Sequence, residues 1–77
     1  MPHIIVKCYP GKTEEQKKQL AQKIAADVEE VFGAPARAIS VSVVDVPKED
    51  WKSEVWDVEI QTTKEKGELF VEPGYQM

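Results

Sequence analysis

Soft metal ligands, disulfide partners and long apolar runs are all scarce in this sequence. Cys8 is the single cysteine and His3 the single histidine, so an internal disulfide is excluded and a closed zinc site cannot be built. No apolar run approaches the roughly 18 residues that a bilayer span needs, and Met1-Pro2-His3 lacks the basic and apolar stretches of a signal peptide. A cytoplasmic location and no membrane partner are therefore expected. Positive charge is in deficit as well: 14 acidic against 10 basic side chains give a net charge of -4, which argues against nucleic acid as a partner. Also missing are a glycine-rich phosphate loop, a Ser/His/Asp set and a carboxylate pair at a diagnostic spacing. No internal repeat or low-complexity segment occurs.

The chain has 77 residues, which fits a single domain over residues 1–77 with no room for a second. So short a chain buries a modest fraction of its surface. Small domains compensate with disulfides, metal or oligomerisation, and only the last is open here.

Hydropathy alternates from Pro2 to Tyr9, with Ile4, Val6 and Cys8 on one face and His3, Ile5, Lys7 and Tyr9 on the other, which predicts a first strand. Pro10-Gly11 breaks it. Thr13 and Gln16 then match a capping box, with Glu14 and Glu15 at the positive end of a helix. Leu20, Ile24, Val28 and Val31 recur at three- and four-residue spacing beside Ala21, Ala25 and Phe32, giving one apolar stripe. Gly33 suits a left-handed cap and Pro35 prevents continuation, so the helix is predicted from about Glu14 to Phe32.

Ile39 to Val46 alternates again and is rich in β-branched residues, which predicts a second strand. Strand, helix and strand make a βαβ unit with parallel strands and a right-handed crossover. One helix covers one face only, whereas parallel sheets are normally covered on both, so a second copy is expected to supply the missing cover. Downstream, Trp51, Val55, Trp56, Val58 and Ile60 match neither the strand nor the helix period. Thr62-Thr63 and Glu65 suggest a short helix capped there, running through Leu69 and Phe70 and ending at Pro73-Gly74, with Gly67 awkwardly in its middle.

One residue invites chemistry. Pro2 follows the initiator methionine, and a small second residue is the type from which methionine is normally removed, leaving a secondary amine at the start of a strand. Amino-terminal amines titrate nearer neutrality than lysine, and partial burial beside cations favours the uncharged form that a general base needs. The plainer reading is that proline is tolerated at the first residue of a strand.

Met1-Pro2-His3-Ile4, the Gly11-Lys12-Thr13-Glu14-Glu15-Gln16-Lys17 segment that starts the helix, Ala34-Pro35 and the strand through Val43-Val44 resemble the 4-oxalocrotonate tautomerase family in order and spacing. The C-terminal part, with Trp56-Asp57, Glu59-Ile60 and Pro73-Gly74-Tyr75, is similar to a bacterial subgroup that forms dimers rather than hexamers. The resemblance implies an α/β (α+β) fold: a βαβ tautomerase-type unit with two parallel strands, one long helix and a short C-terminal extension, assembled as a homo-oligomer. A dimer is favoured, with a hexamer as the alternative. It implies a cofactor-free isomerase, in which Pro2 moves a proton between the enol oxygen and the neighbouring carbon of a small 2-oxo acid. The family's first arginine aligns with Lys12, which keeps the charge but lacks the planar fork that grips a carboxylate twice. Its second arginine aligns with Ser40, a hydrogen-bonding group without charge, while Arg37 is close in sequence but out of register. Its aromatic wall aligns with Trp51, which suits an apolar site for a phenylpyruvate-like acid or else packs in a core or interface. By parity His3 falls on the face opposite Pro2 and reads as structural, and Cys8 reads as a small core residue. Loss of both arginines also leaves a non-enzymatic binding or dimerisation module on the same scaffold as an alternative. Dehalogenase or hydratase chemistry would need a water-activating partner that the chain does not offer.

Overall fold

A computed structural model describes residues 1–77. Two compact units divide it, Met1–Asp45 and Val46–Met77.

The first unit is the βαβ motif. Strand β1 (His3–Cys8) leads into helix α1 (Glu14–Phe32), a 3-10 turn at Ala36–Ala38 follows, and strand β2 (Ser40–Asp45) closes the motif. The strands pair in parallel with His3 opposite Ser40, Val6 opposite Val43 and Cys8 opposite Asp45. Both ends of α1 form as their residue types dictate. Thr13 Oγ accepts from the Gln16 N–H at 3.1 Å, and the Gln16 side chain accepts from the Thr13 N–H at 2.9 Å, so two otherwise unpaired donors are satisfied reciprocally. Gly33 closes the helix at φ 69°, its N–H donating to the Glu29 carbonyl at 3.0 Å.

Ala21, Ile24, Ala25 and Val28 form the half-buried stripe of α1, joined by Lys17 at its start. Leu20, expected to open the stripe, is 43% exposed, and Val31 and Phe32, expected to extend it, are 76% and 73% exposed. For the last two, length is a sufficient cause: nineteen helical residues span about 28 Å at 1.5 Å each, whereas a six-residue strand covers about 17 Å between its end Cα atoms. The helix is thus longer than the strands it packs on, and its last turn is exposed. On the sheet face away from the stripe, Ile5 and Val44 remain 54% and 43% exposed, an apolar surface of the kind that parallel sheets usually cover.

The second unit resolves the stretch that neither period fitted. A 3-10 turn at Lys48–Asp50 runs through Trp51 into a π-helical segment, Lys52–Ile60, and then into helix α2 (Gln61–Glu65). A π-helix closes each turn on the fifth residue rather than the fourth, as in the bond from the Gln61 N–H to the Trp56 carbonyl. Its sheltered positions are Trp51, Val55, Trp56 and Ile60. They recur every four to five residues, which defeats a search at either 2 or 3.6. Val55 and Trp56 are 5% and 7% exposed, whereas Val58, off this face, is 57% exposed.

Thr62 and Thr63 do not cap a helix start. Their hydroxyls donate back to the carbonyls of Val58 at 2.8 Å and Glu59 at 2.7 Å, satisfying acceptors where the wider turn tightens into α2. Gly67, at φ 73°, is a terminator rather than a mid-helix flaw. The Glu68 N–H donates to the Thr63 carbonyl at 2.8 Å and the Gly67 N–H to the Lys64 carbonyl at 3.1 Å, the paired bonds of a Schellman cap. Helix α2 therefore stops at Glu65, well short of Leu69 and Phe70. The tail then folds back within this unit: Trp51 Nε1 donates to the Tyr75 hydroxyl at 2.9 Å, and the Trp56 and Tyr75 rings lie 5.3 Å apart. No helix is long and apolar enough to cross a membrane.

Candidate functional site

Pro2 is half-buried just ahead of β1. Its ring supplies no N–H, but its carbonyl accepts from the Ser40 N–H at 3.2 Å, so the first residues are held to β2 instead of fraying. The nitrogen of Pro2 belongs to the same residue as that carbonyl and so lies within about 3.5 Å of the bond. Where methionine is removed, this nitrogen is a secondary amine on a fixed backbone; where it is retained, it is an amide without basicity.

Directly opposite His3 in the ladder stands Ser40, and His3 Nδ1 and Ser40 Oγ are 2.6 Å apart. Pro2, His3 and Ser40 thus meet at the N-terminal end of the parallel pair. The His3 side chain lies on the sheet face away from the helix, which Ser40 shares across the ladder, so the two pair there. Alternation within each strand does not reveal this pair, because only the register of the two strands brings His3 and Ser40 opposite one another. Arg37 sits on the exposed 3-10 turn leading into β2, at this same end of the sheet.

Lys12 is not among them. It follows β1 at the opposite end, where it lines a cavity of about 210 Å³ with Val6, Cys8, Gln16, Lys17, Leu20 and Val43. The strand between Pro2 and Lys12 is about 17 Å long, and a lysine side chain on one chain does not close that distance onto a small acid. Within the cavity wall Lys17 Nζ lies 2.9 Å from Asp45 Oδ1. The hydrogen bond to Asp45 chiefly raises the Lys17 pKa above 10.5 against a smaller lowering by burial, with further help from the Asp45 and Glu14 charges. Cys8 is half-buried here, its thiol within 3.8 Å of Asp45 Oδ1.

Trp51 belongs to the second unit, where its indole N–H is committed to Tyr75. That partner was not foreseen, because 24 residues separate the two and no periodicity links them. An open depression of about 540 Å³ in this unit is lined by Trp56, Ile60 and Tyr75 and edged by the Lys64–Glu72 ion pair at 3.3 Å. It contains none of the residues expected at a site. No group of three or more His, Cys, Asp or Glu side chains comes together to hold a metal.

Comparison with known proteins bears directly on a fold in which Pro2 and Ser40 meet at one strand end. Residues 2–55 match the family of tautomerase enzymes. A protein of Xylella fastidiosa (strain 9a5c) described as "Probable tautomerase" is 43% identical over 75 residues, covering 97% of this chain and 89% of the relative. Tautomerase PptA of Enterobacter sp. (strain 638) is 41% identical over 78 residues, covering the whole of both chains. Among solved structures, a 4-oxalocrotonate tautomerase isozyme from Methylibium petroleiphilum superposes with a TM-score of 0.61 at 38% identity, covering 65% of this chain and 81% of that one. The relatives are named enzymes, which decides against a purely structural or binding module on this scaffold. The chain belongs to the tautomerase family and is an isomerase of the keto-enol type.

Proposed function

We propose that this tautomerase ketonises the enol of a small 2-oxo acid, with a phenylpyruvate-like acid as its substrate class and the Pro2 amine as the group that moves the proton. The uncharged amine takes the enol hydroxyl proton as the C2–O bond becomes a carbonyl, and it returns a proton to the neighbouring carbon. No external redox partner enters, since atoms and electrons balance within the substrate. The single observation that carries this reading is the anchoring of Pro2 to β2 through the Ser40 N–H, which fixes a would-be amine in a half-buried, pre-organised position. Ser40 offers a hydrogen bond to the substrate oxygen. For Trp51 the role of apolar wall rests on the resemblance alone, and within its own unit its indole N–H donates to Tyr75. The enzyme is read as cytoplasmic.

Lys12 fits this scheme as the carboxylate contact only if it comes from another copy. A 2-oxo acid places its carboxylate and its reacting carbon within a few bonds of one another, far less than the length of β1. In a two-fold dimer Pro2 of one protomer and Lys12 of its partner share a site, which the exposed apolar sheet face also favours.

Subunit complementation tests the whole scheme. Pro2→Ala and Lys12→Ala proteins are each assayed for ketonisation of phenylpyruvate enol, then mixed under conditions that exchange subunits. Alone, Pro2→Ala loses about 10²-fold or more of kcat, and Lys12→Ala loses chiefly in KM. Random exchange makes half the dimers mixed, each with one intact site, so recovery approaches about a quarter of wild-type activity. Unchanged activity in Pro2→Ala overturns the role of proline. A Lys12→Ala defect with no recovery on mixing overturns the shared site.

A further inference from the structure

We propose that His3 is a positioning residue for this reaction: it holds the Ser40 hydroxyl so that its hydrogen points at the substrate oxygen on which negative charge develops. The proposal rests on the tautomerase reading of Pro2 and addresses what stands at position 40 in place of a cation.

Ser40 has what an oxyanion donor requires except an orientation of its own. Its hydroxyl has one hydrogen and two acceptor lone pairs, and about three staggered χ1 positions are open to an exposed serine. A group that must reorient at the moment of reaction is a poor stabiliser, because electrostatic catalysis depends on dipoles fixed beforehand. The ladder register supplies the fixing partner. His3 lies directly across from Ser40, and the 2.6 Å separation of Nδ1 and Oγ makes a short hydrogen bond. When the Nδ1–H donates to Oγ, one serine lone pair is occupied and the hydroxyl hydrogen is left for the substrate. The same bond polarises the hydroxyl and makes it a better donor. The Ser40 backbone is meanwhile tied to Pro2 by its own N–H. One residue therefore carries both the anchor of the base and the donor for the oxygen from which that base takes its proton.

His3 acts only through Ser40 and never touches substrate. Its effect is accordingly on kcat with little change in KM, since the developing charge exists in the transition state and not in the bound enol. Removing the donor itself costs about 10²-fold in kcat. Removing the group that orients it costs less, roughly three- to tenfold, the statistical weight of three rotamers plus some lost polarisation.

The test is a double-mutant cycle on the full chain with methionine removal verified by mass, using phenylpyruvate enol. His3→Ala lowers kcat three- to tenfold, and Ser40→Ala lowers it about 10²-fold. In the Ser40→Ala background, His3→Ala has no further effect, because nothing remains to be oriented. His3→Asn, which keeps a donor near the place of Nδ1, restores most of the loss, whereas His3→Gln, whose amide reaches toward the place of Nε2, does not. If the His3→Ala and Ser40→Ala losses multiply, or if His3→Ala raises KM or lowers the melting temperature while leaving kcat unchanged, His3 is structural and the inference falls. The two levels stay distinguishable. Additive losses in an active, Pro2-dependent enzyme sink the role of His3 alone, while an inactive wild type sinks the reading of Pro2 and this inference with it.

Discussion

The two compact units differ in what made them legible and in what they contribute. Met1–Asp45 has both caps of α1, both strands and Pro2, yet none of its side chains is fully sheltered. Val46–Met77 has the three least exposed hydrophobic residues, Val46, Val55 and Trp56, yet its pattern matches no ordinary period. The proposed chemistry is placed where the backbone is regular and exposed, and the burial lies in the other unit. In a chain too small for a generous core, the exposed unit needs a second copy, and the proposed site needs one as well.

Trp56→Ala should sharpen this contrast most. Removing a ring that is 7% exposed and stacked near Tyr75 is expected to cost about 3–5 kcal/mol. Leu20→Ala on α1, where Leu20 is 43% exposed, should cost less than about 1 kcal/mol. Chemical denaturation of the two variants checks the difference, and equal losses would mean that the burial is not concentrated in the C-terminal unit.

A pair of glycines gives a smaller and more even effect. Gly33 at φ 69° ends α1 and Gly67 at φ 73° ends α2, and neither has an atom within 4 Å of a Cβ placed there. With sterics from neighbours removed, Gly→Ala at each position should cost only the left-handed backbone penalty, about 1–2 kcal/mol. If Gly67→Ala is neutral while Gly33→Ala is not, the Schellman cap closing α2 contributes nothing, and the two units differ in their terminators as well as in their periods.

The smallest effect is expected at Lys17. Asp45 raises its pKa above 10.5 in the folded chain. Stability from this contact is therefore fully present below the unfolded value and is lost as pH climbs through the raised folded one. Lys17→Met should lie slightly below wild type in melting temperature at neutral pH, and the gap should close on the alkaline side. A gap that widens with alkalinity would contradict the assignment.

How far the sequence foretold each unit follows from the physics of its signals. Thr13, Gln16, Gly33 and the alternating strands act locally, so α1 is read to its end residues, and the parallel pairing follows from the crossover. Exposure of Val31 and Phe32 was not visible, because it depends on the relative lengths of helix and strand and not on period. In Lys52–Ile60 the apolar spacing is regular but belongs to the wider turn, which is rare enough that no ordinary template seeks it. Gly67 was read as a flaw because its left-handed conformation shows only in the backbone. At the proposed site, Pro2 is singled out by its place after Met1 and Ser40 by resemblance, and the two meet as neighbouring strand ends. Lys12 is named by resemblance too, yet stands beyond the C-terminal end of β1, because a resemblance gives positions along a chain and not their places in space. The pairing of His3 with Ser40 needed the ladder register.

The most direct test of the central claim compares two preparations of the same chain, one whose intact mass shows Met1 removed and one made so that Met1 is retained, in the ketonisation of phenylpyruvate enol. The account predicts that the first is active and the second inactive with the fold unchanged, because retention converts the Pro2 amine to an amide. Equal activity in both would show that the amine is not the base.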